Sequence, residues 1–184
     1  MTVVTGHQLG RLRTLLATVL ESNDFYRSKL KAAGVTAAAD VAGADDYGRL
    51  PLTTRAELSV DQRANPPYGS DLTYAPSAYS RIHRTSGTTG APLYWLDTPD
   101  SWSWLVNSWS TGLRAAGVTA DDCVFCAFSY GPFIGFWCAF EAAQQLGALV
   151  IPGGGMTSEQ RLQAIADNEA TVLLSTPTYA LRLA

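Results

Sequence analysis

The stretch from Cys123 to Ser175 reads CVFCAFSYGPFIGFWCAFEAAQQLGALVIPGGGMTSEQRLQAIADNEATVLLS, and two periods alternate along it. Residues 123–128 form an apolar run of strand length. Phe133 to Leu146 has helical spacing and is closed by Gly147. Residues 148–151 give a second strand, Thr157 to about Glu169 a second helix, and residues 172–175 a third strand. Strands separated by helices pair in parallel through right-handed crossovers. The expected fold class is therefore α/β, built on a βαβαβ parallel-sheet unit. Ligands of such sheets bind beyond the carboxyl ends of the strands, which here carry Ser129-Tyr130-Gly131, Pro152 to Gly155, and Thr176-Pro177.

Upstream, Thr98-Pro99-Asp100 supplies an N-cap, a proline at the first helical position and an acid in the first turn. Trp102, Leu105, Trp109 and Leu113 form the apolar stripe of that helix, with the tryptophans read as core, and Gly117 ends it. Residues 81–84 and 93–96 are two short extended segments around residues 85–90, like a hairpin with an enlarged turn. Residues 65–80 are irregular, opened by Asn65-Pro66-Pro67-Tyr68-Gly69. Thr54 and Glu57 have capping-box spacing and start a short helix. The first element is a long amphipathic helix over about Gln8 to Ala33, with a break expected at Ser22-Asn23-Asp24 and a stop at Gly34. This organisation divides the chain into a helical segment with its irregular loop, residues 1–79, and an α/β subdomain, residues 80–184.

A chain of 184 residues makes one domain or a little more at roughly 150 residues per domain, and buries roughly 70% of its unfolded surface without a disulfide or metal staple. Hydrophobic residues at 47% exclude disorder, while charged residues reach only 16%, against an average of about 25%. An oligomer, a homodimer for instance, or a piece of a larger protein explains that shortfall. A net charge of −3, from 13 basic and 16 acidic residues, gives no field to attract nucleic acid or anionic lipid. Cys123, Cys126 and Cys138 lie among apolar residues and read as reduced, buried thiols of a cytoplasmic protein. Cys123 and Cys126 have the spacing of half a zinc site, but no second pair exists and the only histidines are His7 and His83; no metal ligand is assigned. The N-terminus has no basic patch followed by an apolar run, and no apolar stretch reaches membrane-spanning length, so neither secretion nor a membrane partner is expected.

Thr85-Ser86-Gly87-Thr88-Thr89-Gly90 packs four hydroxyls and two glycines into six residues. Glycine admits positive φ and close backbone approach, so successive N–H groups can converge on an anion, with the hydroxyls as further donors. By composition alone the segment suits an ordinary flexible turn or a phosphate cradle. It is not a Walker A loop, because no Lys-Ser/Thr follows the second glycine.

The longer string Arg84-Thr85-Ser86-Gly87-Thr88-Thr89-Gly90-Ala91-Pro92 closely resembles the phosphate-loop signature of the adenylate-forming ligases. Further segments resemble the phenylacetate-coenzyme A ligase-like branch: Asn23 to Tyr26, Leu50 to Arg55, Phe128 to Gly131, and Ser175 to Ala180. These fall in the family's order along essentially the whole chain. The resemblance implies the N-terminal portion of the large domain of an enzyme that activates an aryl or arylacetic acid with ATP and Mg2+, then forms a coenzyme A thioester. By resemblance, Thr85, Ser86, Gly87, Thr88, Thr89 and Gly90 hold the β- and γ-phosphates of ATP, with Arg84 adding charge. Residues 128–136 correspond to the acyl pocket, with Tyr130, Gly131, Phe133 and Gly135 as its residues, although Phe133 and Phe136 equally suit a buried helix start. None of these is a base or nucleophile; the chemistry they offer is positioning and electrostatics.

Two departures stand out. The resemblance implies a lysine after the second loop glycine, where Ala91 stands. It also implies later segments and a small C-terminal domain with a catalytic lysine, whereas Lys29 and Lys31, the only lysines, sit in the first helical region and read as solvated. The chain is accordingly expected to be an N-terminal part without a catalytic residue of its own, inactive in isolation. Transfer to a carrier-protein thiol or an amine, and a short non-catalytic nucleotide-binding or assembly subunit, are the competing readings.

Overall fold

The apolar spacing of residues 8–33 produces two helices rather than one, α1 (Gly6–Ser22) and α2 (Asp24–Ala32), in a computed structural model that describes residues 5–87 and 90–184. Asn23 causes the break. Its side-chain oxygen accepts from the Tyr26 N–H at 3.0 Å, capping α2, while its amide donates to the Asp71 carbonyl at 2.7 Å and to Thr73 Oγ1 at 3.0 Å. Asn23 is only 1% exposed, so no water replaces these bonds. Asn23→Ala is expected to cost about 2–4 kcal/mol, a lost cap plus a buried carbonyl left unpaired. Urea denaturation checks this, and a midpoint equal to the parent's would contradict it.

The described residues divide into two units. The first comprises Met1–Ser80 and Gly87–Leu96. Its core gathers Leu16, Leu30, Val35 and Val41, with Leu9, Leu12, Leu20 and Leu50 packed on them. Helix α3 (Ala44–Tyr47) is a single turn; α4 (Arg55–Ala64) begins at the expected capping box, where Thr54 Oγ1 accepts from the Glu57 N–H at 3.3 Å and Glu57 Oε2 accepts from the Thr54 N–H at 2.7 Å. Lys29, expected to be solvated, instead donates to Glu57 Oε1 at 2.5 Å with its side chain 13% exposed. That bond, with those from Thr54, holds the Glu57 carboxyl at about 2. From α4, Gln62 exchanges two hydrogen bonds with the Tyr94 backbone, at 2.8 and 3.0 Å.

The second unit comprises Arg81–Ser86 and Asp97–Ala184. Along the chain, β1 (Arg81–Arg84) precedes the hydroxyl-rich loop and β2 (Tyr94–Asp97), whose first three residues belong to the first unit, follows it. Beyond them the α/β expectation holds element by element: α5 (Pro99–Ala115), β3 (Cys123–Cys126), α6 (Ile134–Gln145), β4 (Leu149–Pro152), α7 (Ser158–Asp167), β5 (Val172–Leu174) and α8 (Pro177–Leu183). The sheet order is β4-β3-β5, all parallel, with Val124 opposite both Val150 and Val172 and Phe125 opposite Ile151 and Leu173. The central strand is buried on both faces. Val124 and Cys126 face the α5 and α6 side, where Val106, Leu113, Cys138, Ala139 and Ala142 are buried. Phe125 and Ala127 face the other side, with Ile151, Ile165 and Leu183. This is the two-sided burial of a parallel strand.

The α5 stripe differs from its expectation. Trp102, Val106, Ser110 and Leu113 are buried, whereas Leu105 is only partly so and Trp109 is 42% exposed. A small residue is needed where α5 meets α6, and Ser110 fits there by donating to the Ala142 carbonyl at 3.3 Å. Among the described residues, no helix is long and apolar enough to cross a membrane.

Candidate functional site

The Arg84 N–H, at the end of β1, donates to the Pro132 carbonyl at 2.9 Å, which ties the entrance of the loop to the segment after β3. Thr85 is half-buried and Ser86 exposed. Gly87 has φ +72° and Gly90 φ +145°, and the Gly90 N–H donates to the Gly87 carbonyl at 3.1 Å. A Cβ on Gly87 would lie 3.0 Å from the Gly90 carbonyl oxygen and 3.3 Å from Pro92 Cδ; one on Gly90 would meet nothing within 4 Å among the described residues. The two glycines thus serve differently, Gly87 by conformation and space, Gly90 by conformation alone. Thr88 and Thr89 lie outside the described residues. At the loop exit, the Arg55 guanidinium donates to the Ala91 carbonyl at 2.9 Å. Arg55 is a loop-holding residue that spacing alone did not single out, since its partner is a backbone atom 36 positions away.

In the α/β unit, Tyr130 follows β3 and its ring is enclosed by aromatic neighbours. Phe128 lies edge-on at 5.3 Å, Trp137 at 4.7 Å and Phe140 at 5.5 Å between centroids. Gly154 completes this shell, because a Cβ there would stand 3.3 Å from the Tyr130 ring. The Tyr130 hydroxyl is buried and has no hydrogen bond of normal geometry among the described residues. Burial raises its pKa and pushes the neighbouring Cys126 thiol up to about 11; Cys138 is pushed up to about 11 for the same reason. All three groups stay protonated at neutral pH, so they offer contacts but no nucleophile or base. Gly131, at φ +49°, turns the chain and accepts from Trp137 Nε1 at 2.8 Å, and a Cβ on it would meet the Phe133 ring at 3.2 Å. Phe133 itself is 36% exposed, at the N-cap of α6.

A cleft of about 160 Å³ opens beside this cluster, at the carboxyl ends of β3 and β5. Trp109 from α5, Phe128, then Gly135, Phe136 and Ala139 from α6, and Leu174, Ser175 and Thr176 after β5 line it. Of the four residues expected in the acyl pocket, only Gly135 lines this cleft. Tyr130 stands behind Phe128, which stacks on Phe136 at 4.4 Å. An apolar cavity of about 150 Å³ is large enough to hold a benzene ring. Trp109 was missed because its stripe position read as core; its exposure on α5 is what frees it to form a wall. Arg161 was also missed. It is 7% exposed, donates to the carbonyls of Gly153 at 2.9 Å and Ala127 at 3.4 Å, and lies 5.0 Å over Tyr179, so it ties together the chain ends beyond β3 and β4. Its signal was a charge at helical spacing with Ala164 and Ile165, on the face turned to the core.

No family model matches the chain. Phenylacetate-coenzyme A ligase of Escherichia coli (strain K12) is 35% identical over 179 residues, which is 96% of this chain and 39% of that protein. The enzyme of the same name from Aromatoleum evansii is 33% identical over 177 residues, 95% of this chain and 38% of its own length. The chain therefore spans about 39% of the length of the curated relatives it matches. A crystal structure of 2-hydroxyisobutyryl-CoA ligase in complex with 2-HIB-AMP and CoA, in the thioesterification state, matches with a TM-score of 0.88 and 28% identity, covering 95% of this chain and 37% of that one. An open conformation of the same ligase, also with 2-HIB-AMP and CoA, matches with a TM-score of 0.87 and 26% identity, covering 95% of this chain and 41% of that one. Over nearly its whole length the chain is thus similar in sequence to phenylacetate-coenzyme A ligases and in fold to an acyl-CoA ligase.

Proposed function

We propose that this chain supplies the phosphate loop and part of the acyl site of an AMP-forming ligase that activates an aryl or arylacetic acid with ATP and forms a coenzyme A thioester. The observation that carries the reading is the match of nearly the whole chain to phenylacetate-coenzyme A ligases. A carboxylate resists attack by a thiol because its charge is delocalised and its oxygen leaves poorly. Transfer of AMP onto it, with loss of pyrophosphate, corrects both. In this reading Thr85, Ser86, Gly87, Thr88, Thr89 and Gly90 hold the β- and γ-phosphates through N–H groups and hydroxyls, so that pyrophosphate leaves in line. The positive φ of Gly87 and Gly90 suits such a cradle. Mg2+ would arrive with the nucleotide. Among the described residues no group of three or more His, Cys, Asp or Glu could hold a metal.

An aryl rather than a small hydroxy acid is favoured by the rings of Trp109, Phe128 and Phe136 around the cleft, with Ser175 and Thr176 as its polar edge. Tyr130 acts from behind by fixing Phe128. Tyr130→Ala is expected to raise the KM for aryl acids about tenfold while changing that for ATP less than twofold. Equal effects on both substrates would argue for general misfolding instead. The proposal as a whole is tested by screening carboxylic acids against the complete polypeptide of this reading frame, read as pyrophosphate release. Release with arylacetic acids is the expected result. Silence across the panel, with ATP and Mg2+ saturating, would remove the reading.

A further inference from the structure

Strand β1 inverts the usual pattern. Ile82 is 46% exposed, while His83 is 4% exposed and Arg81 shares its face by the two-residue period of a strand. Both polar side chains pack on Trp102 of α5. The His83 ring stacks on the indole at 5.1 Å with an 18° tilt, and the Arg81 guanidinium lies 4.3 Å from the indole centroid. Trp102 Nε1 donates to Glu141 Oε2 at 2.6 Å, and Glu141 Oε1 pairs with Arg81 at 2.8 Å. His83 Nδ1 faces Asp97 Oδ2 at 3.4 Å, and Asp97 Oδ1 accepts from Ser101 Oγ at 2.9 Å. The group thus joins β1, the end of β2, α5 and α6 within the α/β unit. β1 leads directly into Thr85, and the first turn of α6 carries Gly135 and Phe136 of the cleft.

We infer that Arg81 and Glu141, closed over Trp102, are positioning residues that fix where the chain enters the phosphate loop relative to the acyl cleft, and so set the affinity for ATP without touching it. Buried Asn, Gln or Leu at these positions would fill the space; a guanidinium over an indole with a carboxylate across it also fixes direction, since the fork, the indole N–H and the carboxylate each accept one arrangement. His83 and Asp97 hold the second foot of the same segment, because Asp97 ends β2. This inference rests on the reading of residues 85–90 as a phosphate cradle.

The test uses the complete polypeptide and ATP–pyrophosphate exchange with an aryl acid. Glu141→Gln keeps an acceptor for Trp102 but removes the charge opposite Arg81; Arg81→Met removes the cation, and Arg81→Lys restores it without the planar fork. Glu141→Gln and Arg81→Met are expected to raise the KM for ATP about tenfold, with kcat within about twofold, the KM for the acid unchanged, and Arg81→Lys falling between Met and the parent. An unchanged KM for ATP in both variants overturns the inference, as does a parallel loss in ATP, acid and thermal midpoint that Arg81→Lys does not relieve. Gly87→Val is run beside them: if it leaves exchange intact, the cradle reading itself fails, whereas loss of exchange there with normal Glu141→Gln and Arg81→Met kinetics sinks only the positioning role.

Discussion

Gly87→Val is expected to abolish acyl-adenylate formation in the complete polypeptide, lowering ATP–pyrophosphate exchange by about 100-fold or more. Three penalties coincide at this residue. Its φ of +72° costs an L-residue about 1–2 kcal/mol. Its Cβ would stand 3.0 Å from the Gly90 carbonyl oxygen and 3.3 Å from Pro92 Cδ, neither of which is the free end of a flexible chain. Valine adds a second branch to that same space, and the cheapest escape rotates the Gly87 peptide, which would break the proposed phosphate cradle. Binding of the acid should survive, because the cleft residues lie elsewhere in the chain, from Trp109 to Thr176. Calorimetric titration with the acid, beside the exchange assay, separates the two effects. Gly90→Val should be milder, since a Cβ there meets nothing among the described residues and the φ of +145° is what opposes it. Exchange at the parental rate in Gly87→Val would mean that these residues do not cradle phosphate.

That contrast between two glycines was not legible in the sequence, where they look equivalent. What was legible was local or periodic. Thr54 with Glu57 and Thr98 with Pro99 cap their helices as their spacing implied, because a cap needs only residues within one turn. The βαβαβ unit was legible because period two and period 3.6 alternate cleanly from Cys123 to Ser175. The break at Asn23 was foreseen from its type. The reason it is buried was not, because its partners Asp71 and Thr73 are 48 and 50 residues away.

Hydropathy misplaced residues where a polar side chain is buried for its geometry. On β1 it favours Ile82 inside, but the indole of Trp102, Glu141 and Asp97 make a polar socket for Arg81 and His83 instead. On α5 it favours Trp109 inside, but α6 comes close at Ser110, which turns the buried line and leaves Trp109 at the cleft. In both cases the deciding partner lies on another element, so no window of sequence contains the cause. The cleft shows the same limit. The segment from Phe128 to Phe136 was found by resemblance, yet which of its rings line the space follows from the stack of Phe128 on Phe136, with Tyr130 behind.

Gly135→Leu turns this geometry into the sharpest test of the proposed acyl site. Gly135 lies in the first turn of α6, and a Cβ there would stand 4.0 Å from Trp109 Cζ2, an ordinary contact. Alanine should therefore be accepted with little change. The further carbons of leucine are expected to enter the cleft that Gly135 lines together with Trp109 and Phe136. The helix itself gains, since leucine replaces glycine at a helical position and favours it by up to about 0.8 kcal/mol, so the thermal midpoint should hold or rise. An aryl acid excluded by that side chain should lose about 10- to 200-fold in kcat/KM, while a short aliphatic acid loses little and the KM for ATP stays put. The comparison between two acids on one folded variant removes misfolding as an explanation. If the aryl and aliphatic acids fall together, or neither falls, the space beside Trp109 is not where the acyl group sits, and the ring-binding role must be moved to other walls.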